Sequence, residues 1–285
     1  MFKYYQNEIK QIFDNWQITL TNYFIQLAIV GLFAFDLYSI LKGSIGSSLE
    51  LNDLINHYNH TVFSDYMRFN RSSILTILHS AKYSLLVWVL VSNLINAGIL
   101  FSTVNKNQNS AISFFKNSIQ YFIPNLKFNF FFFTLILISI LSFIVPFALS
   151  LDSLLNYFSS EKFIFILLII LVIILAILIL SIFTWSVISK LIFMQEKFTY
   201  RKCLRIGLKS LVKNWLVLLK FILLMIFFQL CILFIYLMLE NILNHELSFM
   251  LLVLILIQQT YFILRIQLKQ LIYLGIYNRV KQEKY

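Results

Sequence analysis

The chain has 285 residues, 60% of them apolar and 12% charged, with a net charge of +11 and a mean hydropathy of +0.83. A soluble domain carries about a quarter charged residues, so half of the usual solvating surface is missing and the soluble globular class is excluded. Two cysteines, Cys203 and Cys231, rule out a disulfide scaffold, and the sequence has no Gly-rich phosphate loop, HExxH, paired CxxC or GxSxG.

Near the N-terminus Glu8 and Asp14 lie among apolar residues, with no small-residue cleavage site before the first apolar run, so no removable signal peptide is expected. Apolar runs follow at 17–41, 83–104, 128–150, 163–187, 216–239 and 248–273. Each can cross a hydrocarbon layer of about 30 Å, which needs roughly 20 helical residues. None shows the period-two alternation of a barrel strand. The expected fold is an all-α polytopic membrane bundle of six transmembrane helices, forming one integral domain over residues 1–285.

The outer loop at 42–82 holds "SSLELNDLINHY" and "SSILTILHSAKY", which read as short helices over the outer surface. It also holds "HYNHTVFSD", in which His57, His60 and Asp65 are the nearest approach to a metal-ligand set. A tetrahedral site needs further ligands and a supporting shell, so these are read as solvated loop residues and no metal site is expected. The next loop has Lys106, Lys116 and Lys127 without an acid, whereas Asp152, Glu161 and Lys162 mark the loop after it. Residues 188–215 carry seven basic residues against Glu196, and the last loop has Glu240 and Glu246. Basic and acidic loops alternate, which places both termini in the cytoplasm by the positive-inside bias. Cys203 then lies at the inner face and Cys231 within a span, and the two are not expected to pair.

The stretch "YRKCLRIGLKSLVKNWLVLLKF", residues 200–221, reads as an amphipathic interfacial helix entering the fifth span. At about 100° per residue, Leu204, Leu208, Leu211 and Trp215 form one stripe, and Arg201, Arg205, Lys209 and Lys213 a neighbouring one suited to anionic headgroups or a partner. The pattern recurs. A shift of 89 residues lays Phe115, Ile119, Phe122 and Leu126 on the stripe, with Lys116 on Arg205 and Asn125 on Asn214. A shift of 199 lays Tyr5, Ile9, Ile12 and Trp16 there, with Lys10 on Lys209 and Asn15 on Asn214. Three repeat-like units follow, about 1–104, 105–199 and 200–285, each an interfacial helix plus a hairpin of spans. All three have the same sense in the membrane, unlike the units of inverted-repeat transporters.

"MQEKFTYRKCLRIGLKSLVKNWLVLLKFILL" and its weaker copy "NSAISFFKNSIQYFIPNLKFNFFFFTLIL" resemble the repeating elements of bacterial six-span inner-membrane proteins. Among these are the membrane domain attached to some glycerophosphodiester phosphodiesterases and the YciC-like proteins. The resemblance implies a bacterial inner-membrane location and no chemistry of this chain's own, because the phosphodiesterase activity of the first group lies in a separate soluble domain.

Within the spans, Asp36 falls toward one end of the first and Arg265 and Lys269 toward the other end of the sixth, so each is expected to reach its own interface. The amides Asn93, Asn96, Gln229, Gln258 and Gln259 fall near mid-depth, where they serve as interhelical glue or line a polar path. No catalytic constellation or cofactor motif is present, so no enzyme is expected. The expected function is a non-catalytic accessory or scaffold subunit of an inner-membrane complex, its partners being anionic lipid and other membrane proteins, with no nucleic acid. The alternative is a transporter or lipid-handling protein with a mid-membrane polar site.

Overall fold

The structure is a computed structural model that describes residues 8–10, 13, 15–45, 68, 71–105, 110–157, 161–196, 198–243 and 248–281. Among the described residues every regular element is a helix. The helices are α1 (Trp16–Ile45), α2 (Arg71–Val104), α3 (Ala111–Gln120), α4 (Phe122–Tyr157), α5 (Glu161–Glu196), α6 (Tyr200–Lys213), α7 (Trp215–Ile242) and α8 (Ser248–Lys281). The six long ones contain segments apolar and long enough to cross a membrane: Trp16–Phe35, Leu78–Val104, Phe122–Ser150, Lys162–Glu196, Trp215–Ile242 and Leu252–Lys281. The chain is a multi-pass membrane protein.

Several boundaries differ from the sequence reading. "SSILTILHSAKY" is no separate surface helix but the start of α2, because its apolar side chains continue without a breaker into the second span. Helix α5 runs to Glu196, so Lys190 belongs to the helix and not to a loop. The other loop piece, "SSLELNDLINHY", and the trio His57, His60 and Asp65 lie outside the described residues, as does the side chain of Asp36.

The chain divides into two compact units, Met1–Leu20 with Leu94–Tyr285, and Thr21–Asn93. In the smaller one Gln26 Nε2 donates to Asn22 Oδ1 at 2.9 Å, one turn away on α1. The larger one contains both short helices, and its organisation explains their form.

Each short helix stops at a single residue and a long helix resumes at once. The breaks are at Tyr121 between α3 and α4 and at Asn214 between α6 and α7, and Asn15 immediately precedes α1. Backbone bonds bridge each break, with Asn125 N–H donating to Tyr121 C=O and Leu218 N–H to Asn214 C=O, both at 3.0 Å. Pro124 accounts for the position of the break at Tyr121. It has no N–H to return to residue 120, and it is tolerated only in the first turn of the following helix. Tyr121 therefore corresponds to Asn214, an interval of 93 residues, and the 89-residue register predicted from the sequence moves by one helical turn.

The revised register aligns burial as well as breaks. Phe114 and Ser118 of α3 stand where Gly207 and Leu211 stand in α6, and all four are buried. Buried Thr19, Asn125 and Leu218 coincide at the head of the outgoing helices, followed by Asn22, Phe128 and Phe221. Lys10, Lys116 and Lys209 share one exposed position. Buried Asn93, Thr184 and Gln270 are each followed five residues later by a small residue, Gly98, Ser189 and Gly275.

These small residues are where helices meet. A Cβ at Gly98 would overlap Phe114 and Ser118 of α3, one at Gly207 would overlap Ser189 of α5, and one at Gly275 would overlap the Phe221 ring of α7. In a bilayer apolar surface gains nothing by leaving lipid for protein, so close approach and polar contacts must hold helices together. Both are concentrated in one half of each span. On α5 the buried side chains run from Ile182 to Met194, whereas Phe163, Phe165, Ile170 and Ile173 are each more than half exposed. On α7 they run only from Leu218 to Met225.

The packed half is further tied by aromatic and polar contacts. Trp185 Nε1 of α5 donates to Leu204 C=O of α6 at 3.0 Å, and its ring meets Phe131 and Phe132 of α4 edge-on. Trp215 Nε1 donates to Ser181 Oγ at 3.0 Å. The last returning helix closes on the first copy. Asn278 Nδ2 and Arg279 Nη1 of α8 donate to Glu8 Oε1 at 3.2 and 3.3 Å, and Gln270 Nε2 donates to Thr19 Oγ1 at 3.3 Å. Glu8 is 2% exposed, so its charge is compensated at close range by Arg279, whose guanidinium also lies 3.8 Å from the Phe221 ring centroid.

Candidate functional site

Helix α6 presents three faces. Cys203, Gly207 and Leu211 recur every four residues and are buried, with Gly207 allowing the close approach to α5. Leu208 and Val212 are exposed, at 43% and 70%. The sequence reading placed Leu204, Leu208, Leu211 and Trp215 on one lipid-facing stripe. The structure splits that stripe, since Leu211 is packed while Leu208 is free, and Trp215 is held by its bond to Ser181. The physical reason is Gly207, whose missing side chain rotates the packed face about a quarter turn away from the most apolar one.

The four basic residues singled out from the sequence also separate. Lys209 and Lys213, one turn apart, line a cleft of about 320 Å³ between α5, α6 and α8. Arg201 and Arg205 are exposed on α6 but do not line it. Sequence reasoning missed the third cation of the cleft, Lys281, which comes from the last turn of α8 with its ammonium 5.7 Å from the Tyr277 ring centroid. The hydroxyl-bearing Ser210 and Tyr277 and the amide of Gln195 are the other polar lining groups. The apolar lining includes Ile188, Leu191 and Ile192 on α5, Ile206 on α6 and Val280 on α8. Among the described residues no carboxylate lines the cleft.

Two groups near the start of α6 are held in neutral form. Burial raises the Cys203 thiol above its ordinary pKa, and that thiol donates to Phe198 C=O at 3.7 Å. Burial likewise raises the Tyr200 phenol, whose ring lies tilted against Phe128 at 4.4 Å between centroids. Cys203 and Cys231 are both free thiols.

The mid-depth amides do not share one environment. Asn93 and Asn96 fall in the packed part of α2, where Asn93 is buried and Asn96 has a buried Oδ1 without a hydrogen-bond partner. Gln229, Gln258 and Gln259 are half-buried on α7 and α8. Gln270 and Thr19 were overlooked in the sequence, although Gln270, like Asn93 and Thr184, stands five residues before a small residue. Lys190 was also misplaced. It is buried and donates to Asn129 Oδ1 on α4, and it lies within electrostatic reach of Lys269, which in turn neighbours the exposed Arg265. Lys269 is half-buried.

Among the described residues no three His, Cys, Asp or Glu side chains converge on a possible metal position. No protein-family model matches the sequence, and neither a curated protein nor a solved structure is similar to it.

Proposed function

We propose that the protein is a non-catalytic accessory or scaffold subunit of a bacterial inner-membrane assembly, with both termini cytoplasmic and with α3 and α6 lying as amphipathic elements in the inner headgroup layer. The observation that supports this reading is the distribution of packing. The helix ends next to α3 and α6 are tightly joined through Gly98, Gly207 and Gly275, whereas apolar side chains along the far half of α5 remain exposed on most sides. Hairpins anchored at one end offer long apolar faces to other transmembrane helices, which in lipid associate by shape and by a few polar contacts. Basic residues at the packed end, among them Lys116, Lys127, Arg201 and Lys202, support the inward orientation. The resemblance to the membrane domain of glycerophosphodiester phosphodiesterases and to YciC-like proteins supports the same class.

The test is isolation of the tagged full chain in mild detergent together with photocrosslinking from Phe165 and Ile173. The expected result is a defined membrane partner in fixed ratio, crosslinked from both positions. A chain that elutes alone and yields only lipid adducts overturns the proposal. A second reading, transport or lipid handling at a mid-membrane site, draws on the unpartnered Asn96 Oδ1. It requires that Asn96→Leu abolish substrate passage while leaving assembly intact.

A further inference from the structure

We propose that the cleft between α5, α6 and α8 is a specific site for the phosphate of an anionic phospholipid, a binding function independent of any scaffold role. Lys209 and Lys213 from α6 and Lys281 from α8 line it from two elements far apart in the chain, with no carboxylate among the described lining residues. Lysine side chains around one cleft suit a phosphate, which takes point charges from any direction. The hydroxyls of Ser210 and Tyr277 supply directional donors beside them.

The rest of the cleft selects the source of that phosphate. Ile188, Leu191 and Ile192 give it an apolar wall on α5, a surface that a free phosphate ion would leave wet and that the glycerol and upper acyl carbons of a lipid would cover. On the adjoining face of α6 the exposed Leu208 and Val212 mark the depth at which this helix meets acyl chains. A cleft with cationic and apolar walls at that depth matches a headgroup with its first acyl carbons. Lysines scattered over a surface would attract an anionic leaflet as a whole; this cleft instead places three around a single volume of about 320 Å³.

The experiment is native mass spectrometry of the full chain released from nanodiscs of equal parts palmitoyl-oleoyl phosphatidylglycerol and phosphatidylcholine. The expected result is one retained phosphatidylglycerol per chain. In the Lys209→Gln/Lys281→Gln variant retention falls roughly thirtyfold, as two headgroup-facing cations imply. It is preserved in Lys209→Arg/Lys281→Arg and in Arg201→Gln/Arg205→Gln, which removes equal charge from α6 outside the cleft. Equal loss in the last variant and in the cleft variant overturns the proposal in favour of diffuse attraction. Displacement of the lipid by millimolar glycerol phosphate or inorganic phosphate overturns it in favour of a soluble ligand.

Discussion

Helix α3 meets its neighbours through Phe114 and Ser118, whereas α6 meets its own through Gly207 and Leu211 at the corresponding places. In α3 the ring is large and the residue opposite it is Gly98; in α6 the glycine lies on the short helix and Ser189 lies opposite. The same close approach is thus achieved with the small residue on either partner. Capping differs as well. Ser110 Oγ accepts from Ser113 N–H at 3.2 Å to begin α3, while Thr199 makes no such bond and α6 is held by the contact between Trp185 and Leu204. Charge differs most, since α3 carries Lys116 alone and α6 carries five basic residues. Packing constrains the sum of two facing side chains and leaves the outward residues free, so charge can accumulate on one copy without changing its seat.

Breaking the seat of α3 is expected to have the largest effect. Phe114→Ala empties the space facing Gly98 and should destabilise the protein by about 3 kcal/mol, read as a lower melting temperature in detergent. Close to it is the loss of the ion pair that closes the last hairpin on the first copy. Arg279→Met leaves Glu8 buried and costs about 3 kcal/mol, and Glu8→Gln combined with Arg279→Met recovers much of the loss because no isolated charge remains. The counterpart in α6, Gly207→Val, presses on the Ser189 backbone and should cost about 2 kcal/mol, with partial rescue by Ser189→Gly if the two residues share one contact. Exchange of the exposed lysines sharpens the contrast from the other side. Lys116→Gln and Lys209→Gln should each leave the melting temperature unchanged within about 2 °C, while only the second reduces retention of the anionic lipid.

The smallest effect concerns pH. Because burial raises the Cys203 thiol, the folded state favours its neutral form. The associated stability is complete below the ordinary thiol pKa of about 8.5 and is lost as pH rises through that value toward the folded one. Cys203→Ala should therefore flatten the decline in melting temperature above about pH 8.5. In the native chain maleimide should label Cys203 slowly until denaturant is added.

Much of this was legible in the residues. Six apolar runs of span length and the basic loops between them specify a multi-pass helical protein, since in lipid a backbone must satisfy its own polar groups. A short helix before a long one was legible at 111–120 and 200–213, but the register between the two was not, because apolar residues are so abundant that a shift of one turn matches almost as well. Pro124 carried the missing information, and only the break at Tyr121 shows how it is used.

The cleft lay beyond any such reading. Lys209 and Lys213 are one turn apart and were visible as neighbours, while Lys281 lies some seventy residues away and meets them through the folding back of α8. Periodicity along a helix is a local property of the chain, and it settles which side chains share a face and whether the segment belongs in lipid. Which face meets which neighbour depends on where Gly98, Gly207 and Gly275 let two helices come close, and that is a relation between distant residues that no single stretch contains.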